Sequence, residues 1–228
     1  MQGSKVVLLA ALGGGIFGAL FTQLDLHAVK GLSFFARDSE LLNHRGFLLA
    51  AMGTWAVFGL YWEHAAKKAS EAKSSESGAS RGLHVFLVNA AILLEIAPIR
   101  GLGRFIPVLP VVMTLGLVVE TAGLALAVWA RQHLGRHWSG RIAIKVEHQL
   151  IKSGPYRLLR HPIYTGLLAV YAGPMLVTGE WLAVIGFAMA FFAYWRKIRL
   201  EEATLGVAFG QDYAAYRRET WALVPGLF

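Results

Sequence analysis

The sequence predicts an all-α, polytopic membrane bundle of about six transmembrane segments, with a C-terminal helical hairpin and a cytoplasmic C-terminal helix. Three observations carry this. First, 56% of the 228 residues are hydrophobic and only 16% are charged, with a mean hydropathy of +0.50, which is too apolar for an ordinary soluble domain. Second, the apolar residues gather at about 5–24, 46–62, 83–99, 106–130, 163–179 and 181–195. The last two are shorter than the roughly 20 residues a perpendicular span needs. Third, Lys and Arg are unevenly shared between the connections. With the N-terminus inside, 17 fall on the inner side and 5 on the outer, so both termini are expected in the cytoplasm.

Composition also excludes. The net charge of +8 is broken up between apolar spans and forms no basic face, so no nucleic-acid partner is expected. Without a cysteine there is no disulfide, thiolate zinc site or cysteine nucleophile.

In chain order, Lys5 and the run Val6 to Leu20 read as an uncleaved first span. Residues 25–45 mix charges with Leu26, Val29, Phe34 and Phe35, as a segment lying along the interface would. Residues 63–82 contain no large apolar side chain and read as a mobile cytoplasmic linker. The chain thus divides into N-terminal spans over 1–105 and a core over 106–228, within a single membrane domain. Asn89, Glu95 and Glu120 fall inside spans, where Glu120 is either a functional group or a polar link between helices. Only Thr178-Gly179-Glu180 separates the last two apolar segments, which predicts a tight hairpin, and Gly173-Pro174 is expected to kink its first arm. Beyond residue 195, Ile198, Leu205, Phe209, Tyr213 and Tyr216 mark one apolar face of a further helix, which Gly206 and Gly210 are expected to bend.

Chemistry concentrates between Trp129 and Gly166. His133 and His137 stand four apart, but Gly135 interrupts the helix and no acidic third ligand follows at a recognisable spacing, so no metal is expected. Arg131, Arg136 and Arg141 read as lipid-phosphate contacts or topology charges. The stretch GPYRLLRHPIYTG, Gly154 to Gly166, sets Arg157, Arg160 and His161 at the mouth of an apolar run, a membrane–water boundary.

Four elements occur in order: LGxxWS from Leu134, HxLIxxGPYxxxRHPxYxG from His148, the short hairpin, and EExxLxxxFGxxYxxY from Glu201. Together they resemble the isoprenylcysteine carboxyl methyltransferase family, whose RHPxYxG signature is shared with membrane phospholipid methyltransferases. The resemblance covers roughly residues 106–228. It implies a membrane-embedded S-adenosylmethionine pocket opening to the cytoplasm and a lateral opening for a lipid-like or small amphiphilic methyl acceptor. His148, Leu150, Gly154 and Tyr156 match its first cofactor-binding stretch, His161 and Tyr164 its second, and Glu201 and Glu202 the acids that close the pocket. The residue types suit the ligand, because aromatic faces accommodate a sulfonium and carboxylates accept from ribose and amino groups. No GxGxxG follows a strand, so the soluble nucleotide-binding arrangement is absent.

For a carboxylate acceptor no base is needed, and Arg160 or Arg199 would orient it, with Lys197 or Arg199 standing for the family's arginine. A phospholipid amine or a thiol would instead need His161 or a Glu as base. Of the two acids, Glu202 is expected to face the pocket more squarely and its loss to cost more activity. A non-catalytic lipid-binding module and a membrane reductase of the sterol-reductase type remain the competing readings.

Overall fold

A computed structural model describes residues 39–67, 76–96, 102–107, 109–139 and 149–227. The first predicted span, the connection up to residue 38 and the stretch 140–148, which includes His148, lie outside them. The described part is all-helical. It comprises α1 (Ser39–Lys67), α2 (Gly78–Ile96), α3 (Pro110–Leu134), α4 (Pro162–Thr178) and α5 (Trp181–Glu219), with 3-10 turns at Gly135–His137 and Gly154–Arg157.

Helix α3 starts with Pro110 at a position where no backbone donor is needed. It ends at Gly135, with Arg131 and His133 in the last turn, where the helix dipole favours positive charge. Its 25 residues span about 38 Å at 1.5 Å each, more than a bilayer core. Pro110–Leu134 and Trp181–Glu219 are the described helices both long and apolar enough to cross a membrane. Apolar side chains also face outward on α1 and α2, which are long enough but are not among those two helices. Val57, Leu60 and Phe86 are each more than 60% exposed, which a soluble surface rarely tolerates in such density and lipid accommodates. The chain is an integral membrane protein.

Helix α4 packs on α3 through glycines seven apart on each helix. A Cβ on Gly166 would stand 2.4 Å from the Gly123 carbonyl oxygen, and one on Gly173 would stand 2.7 Å from that of Gly116. The two backbones are therefore in direct contact, as small residues permit between membrane helices. Glu120 lies between these crossings, fully buried, and hydrogen-bonds to the Thr54 hydroxyl of α1. Helix α5 packs mainly on α2, where Gly186 abuts the Ala91 carbonyl.

Gly179 and Glu180 join α4 to α5, and this turn is held by the segment before α3. The Phe105 amide donates to the Gly179 carbonyl at 2.8 Å, and the Trp181 amide to that of Gly103 at 3.2 Å. Helix α4 runs through Pro174.

Three expectations are corrected here. Residues 181–195 and the following helix form one continuous α5, interrupted at Gly210 (φ 50°) and not at Gly206. The ends of the 63–82 connection are ordered, because α1 runs to Lys67 and the Arg196 guanidinium holds the start of α2 by bonds to the Ser80 hydroxyl at 2.7 Å and carbonyl at 2.6 Å. Arg131 is not a headgroup contact. It is buried over the Trp138 ring at 3.9 Å and donates to the Ala65 carbonyl at 2.9 Å, tying α1 to the end of α3.

Candidate functional site

The Gly154–Gly166 stretch enters the site through a turn that only glycine fills easily. Gly154 has φ 59°, and a Cβ there would meet the His133 ring at 2.6 Å. His133 in turn binds the Ser153 hydroxyl at 2.9 Å and stacks on Tyr156. The histidine weighed as a metal ligand thus shapes this loop. Pro155 starts the 3-10 turn and Tyr156 points inward, buried. Burial and the nearby Glu201 raise its phenol, so it stays protonated.

After the turn the backbone is clasped by the chain's C-terminal segment. The Arg160 amide donates to the Trp221 carbonyl at 2.7 Å and the His161 amide to that of Ala222 at 3.1 Å, while the Trp221 amide returns a bond to Leu158 at 3.1 Å. Thr165 donates to the Leu223 carbonyl at 2.7 Å, and the Tyr216 hydroxyl to the Tyr156 carbonyl at 2.7 Å. The sequence carried no signal for this clasp beyond a short apolar tail after the last motif. Truncation after Thr220 removes four of these five bonds, at about 1 kcal/mol each. The expected result is a clear drop in melting temperature with helical circular dichroism retained.

His161 is the cap residue of α4, followed by Pro162 in the first turn. That ring stacks on Tyr164 with centroids 5.7 Å apart and stands between both acids, 3.6 Å from Glu201 and 3.5 Å from Glu202. Tyr164 donates its hydroxyl to Glu201 and leans on Tyr194.

These side chains border a cavity of about 280 Å³. Leu150, Tyr156, Arg160, His161, Tyr164 and Glu201 line it, six of the residues singled out from the sequence. Gly154 does not line it and acts through the turn. Glu202 and Arg199 do not line it. Glu202 is turned away from the cavity into a buried pair with Arg160 Nε at 2.8 Å. Arg199 is exposed, because it lies two residues, about 200° around the helix, from Lys197, which does line the cavity. Arg160 spends Nε on Glu202 and Nη1 on the Arg217 and Thr220 carbonyls, so its main structural work is to bind the clasp.

Lining residues that had gone unassigned include Trp62, His84, Gln149, Tyr194 and Thr204. Tyr194, Lys197, Glu201 and Thr204 recur at helical spacing on α5, a pattern visible only once that helix is read as continuous.

Residues 114–207 match the isoprenylcysteine carboxyl methyltransferase (ICMT) family. Over that segment, about two fifths of its length, the chain is similar to the family. The chain is 32% identical over 113 residues to a probable protein-S-isoprenylcysteine O-methyltransferase of Oryza sativa subsp. indica, covering 48% of this chain and 59% of the relative. It is 39% identical over 71 residues to methanethiol S-methyltransferase of Mycobacterium tuberculosis, covering 31% of this chain and 28% of that one. A solved structure of the eukaryotic intramembrane Ras methyltransferase ICMT is similar at 18% identity and a TM-score of 0.47, over 66% of this chain and 54% of that one. The chain spans less than two thirds of the length of the curated relatives it matches. The family segment takes in α3, α4 and most of α5, and with them every cavity residue between Leu134 and Leu205.

Proposed function

We propose that this chain is a membrane-embedded methyltransferase that moves a methyl group from S-adenosylmethionine to a lipid-like or small amphiphilic acceptor, with a carboxylate as the first candidate. The observation that carries the reading is the convergence of Tyr156, His161, Tyr164 and Glu201, residues 45 positions apart in sequence, on one cavity. The donor set fits the cofactor. Tyrosine faces suit a sulfonium, and the Glu201 carboxylate accepts from hydroxyl or amino groups. Bound there, S-adenosylmethionine would supply an electrophilic methyl, and its sulfur would keep the electron pair of the broken bond.

The chain's own residues then align the acceptor and exclude water. Lys197 is proposed to orient an acceptor carboxylate, in the place expected of Arg199, with Arg160 as the other candidate that lines the cavity. A carboxylate loses no proton. A thiol would, and the similarity to an S-methyltransferase keeps that acceptor as the second reading, with His161 as the group able to receive the proton. We further assign six spans, residues 1–105 as N-terminal spans beside a 106–228 catalytic core, membrane lipids as the surroundings, and both termini and the cofactor opening to the cytoplasm, as the Lys and Arg distribution favours.

Titration calorimetry with S-adenosylhomocysteine on the detergent-solubilised chain tests this. Binding is expected, and Tyr164→Ala and His161→Ala are each expected to weaken it about ten-fold while the melting curve stays cooperative. No binding across several lipid compositions would sink the methyltransferase reading.

A further inference from the structure

Two cavity residues come from the helices that precede the family segment: Trp62 on α1 and His84 on α2. Both are fixed in place. Trp62 packs against Phe58 with centroids 5.1 Å apart and edge-on against Trp138 at 5.4 Å. Trp138 is itself pinned beneath the Arg131 guanidinium, whose bond to Ala65 closes the stack back onto α1. The His84 ring donates Nδ1–H to the Ala193 carbonyl at 3.3 Å and sits edge-on to Tyr194 at 5.4 Å, on a helix anchored by the Arg196 bonds to Ser80.

The polar side of the cavity, His161 with Tyr164 and Glu201, is assigned above to the cofactor. Trp62 and His84 belong to the remaining wall, which is assigned here to the acceptor, with His84 joined to the cofactor side through Tyr194. The cavity, at about 280 Å³, lies just below the roughly 300–1,000 Å³ of sites that enclose a whole drug-sized ligand. Little room remains beside a cofactor. An acceptor with a long chain would have to displace an indole held between Phe58 and Trp138, and moving it would break the aromatic stack that Arg131 closes.

We propose that Trp62, together with His84 on the other of these two preceding helices, is a size gauge that restricts the methyl acceptor to molecules with a short apolar body and discriminates against long lipid chains. This rests on the methyltransferase reading and narrows its acceptor class.

The experiment uses the purified full chain, labelled S-adenosylmethionine and acceptors paired by length in two chemistries: N-acetyl-S-butylcysteine with N-acetyl-S-farnesylcysteine, and butanethiol with dodecanethiol. In whichever chemistry turns over, kcat/KM for the short member is expected to exceed that for the long one by at least about ten-fold. Trp62→Ala is expected to shrink that ratio by about ten-fold, through gain on the long acceptor, and Trp62→Phe to preserve it. S-Adenosylhomocysteine affinity should stay within about two-fold of the parent in both variants. The wild-type ratio needs no variant, so a Trp62→Ala chain that fails to fold does not remove the test. A long acceptor used as well as its short partner overturns the proposal. So does an unchanged ratio in a folded Trp62→Ala protein, or a protein that binds S-adenosylhomocysteine yet methylates neither short acceptor. Absence of S-adenosylhomocysteine binding is the separate result that removes the methyltransferase reading, and this inference with it.

Discussion

Replacing Gly166 by leucine is expected to abolish the cooperative melting of the purified protein, and Gly166→Ala to cost about 1–3 kcal/mol. The reason is backbone contact. A Cβ at Gly166 would stand 2.4 Å from the Gly123 carbonyl oxygen and 2.8 Å from the Ala127 amide nitrogen, and neither is the movable tip of a side chain. The α3 and α4 backbones would have to separate along their length, and the Gly116–Gly173 crossing would open with them. Because Gly166 follows Tyr164 by two residues, the separation would also carry Tyr164 and His161 away from α5. Gly206→Ala is the matched control. Nothing lies within 4 Å of its Cβ direction and the helix runs through it, so alanine there should be neutral or stabilising by up to about 1 kcal/mol. Thermal denaturation of both variants in one detergent checks the pair; equal melting of Gly166→Ala and the parent would mean that the helices do not touch as described.

That contact explains part of what the sequence could convey. RHPxYxG could be read as a motif, but the physical need for its last glycine could not, because the need arises from Gly123, more than forty residues away. Apolar periodicity and turn residues foretold α3, α4 and the hairpin to within a few residues, since Pro110, Pro162 and Gly179 are local signals. Longer-range facts were not legible. Arg131 looked like a headgroup charge because its partners, Trp138 and the Ala65 carbonyl, are specified only by tertiary packing. The split placed after residue 195 hid the face shared by Tyr194, Lys197 and Glu201, and so turned attention to Arg199. Trp62 and His84 carried no local sign at all, since a lone aromatic residue near the end of an apolar helix usually belongs to the core or to an interfacial belt.

The adjacent acids provide the other large effect, and its direction reverses the order expected from the sequence. Glu201→Gln is expected to lower kcat/KM by about 10- to 100-fold and to weaken S-adenosylhomocysteine binding, because Glu201 lines the cavity and receives the Tyr164 hydroxyl beside His161. Glu202→Gln is expected to act mainly on stability, by about 1–3 kcal/mol, because its carboxylate is buried against Arg160 and lies 3.8 Å from Arg217. Arg160 binds the clasp carbonyls with its other nitrogen, so loosening this pair loosens the wall around His161. The acid range separates the two roles. Burial alone would raise the Glu202 carboxyl, but contacts with His161 and Arg160 outweigh it and bring the carboxyl from 4.5 down to about 2. A carboxyl depressed in the folded state stabilises fully above its unfolded value, so this contribution is present above pH 4.5 and is lost as the pH falls towards about 2. Denaturation followed between those limits should show a falling stability limb in the parent and in Glu201→Gln, and a flatter one in Glu202→Gln. A Glu202→Gln protein with the parent's acid limb but greatly reduced cofactor affinity would place Glu202, and not Glu201, at the reacting groups.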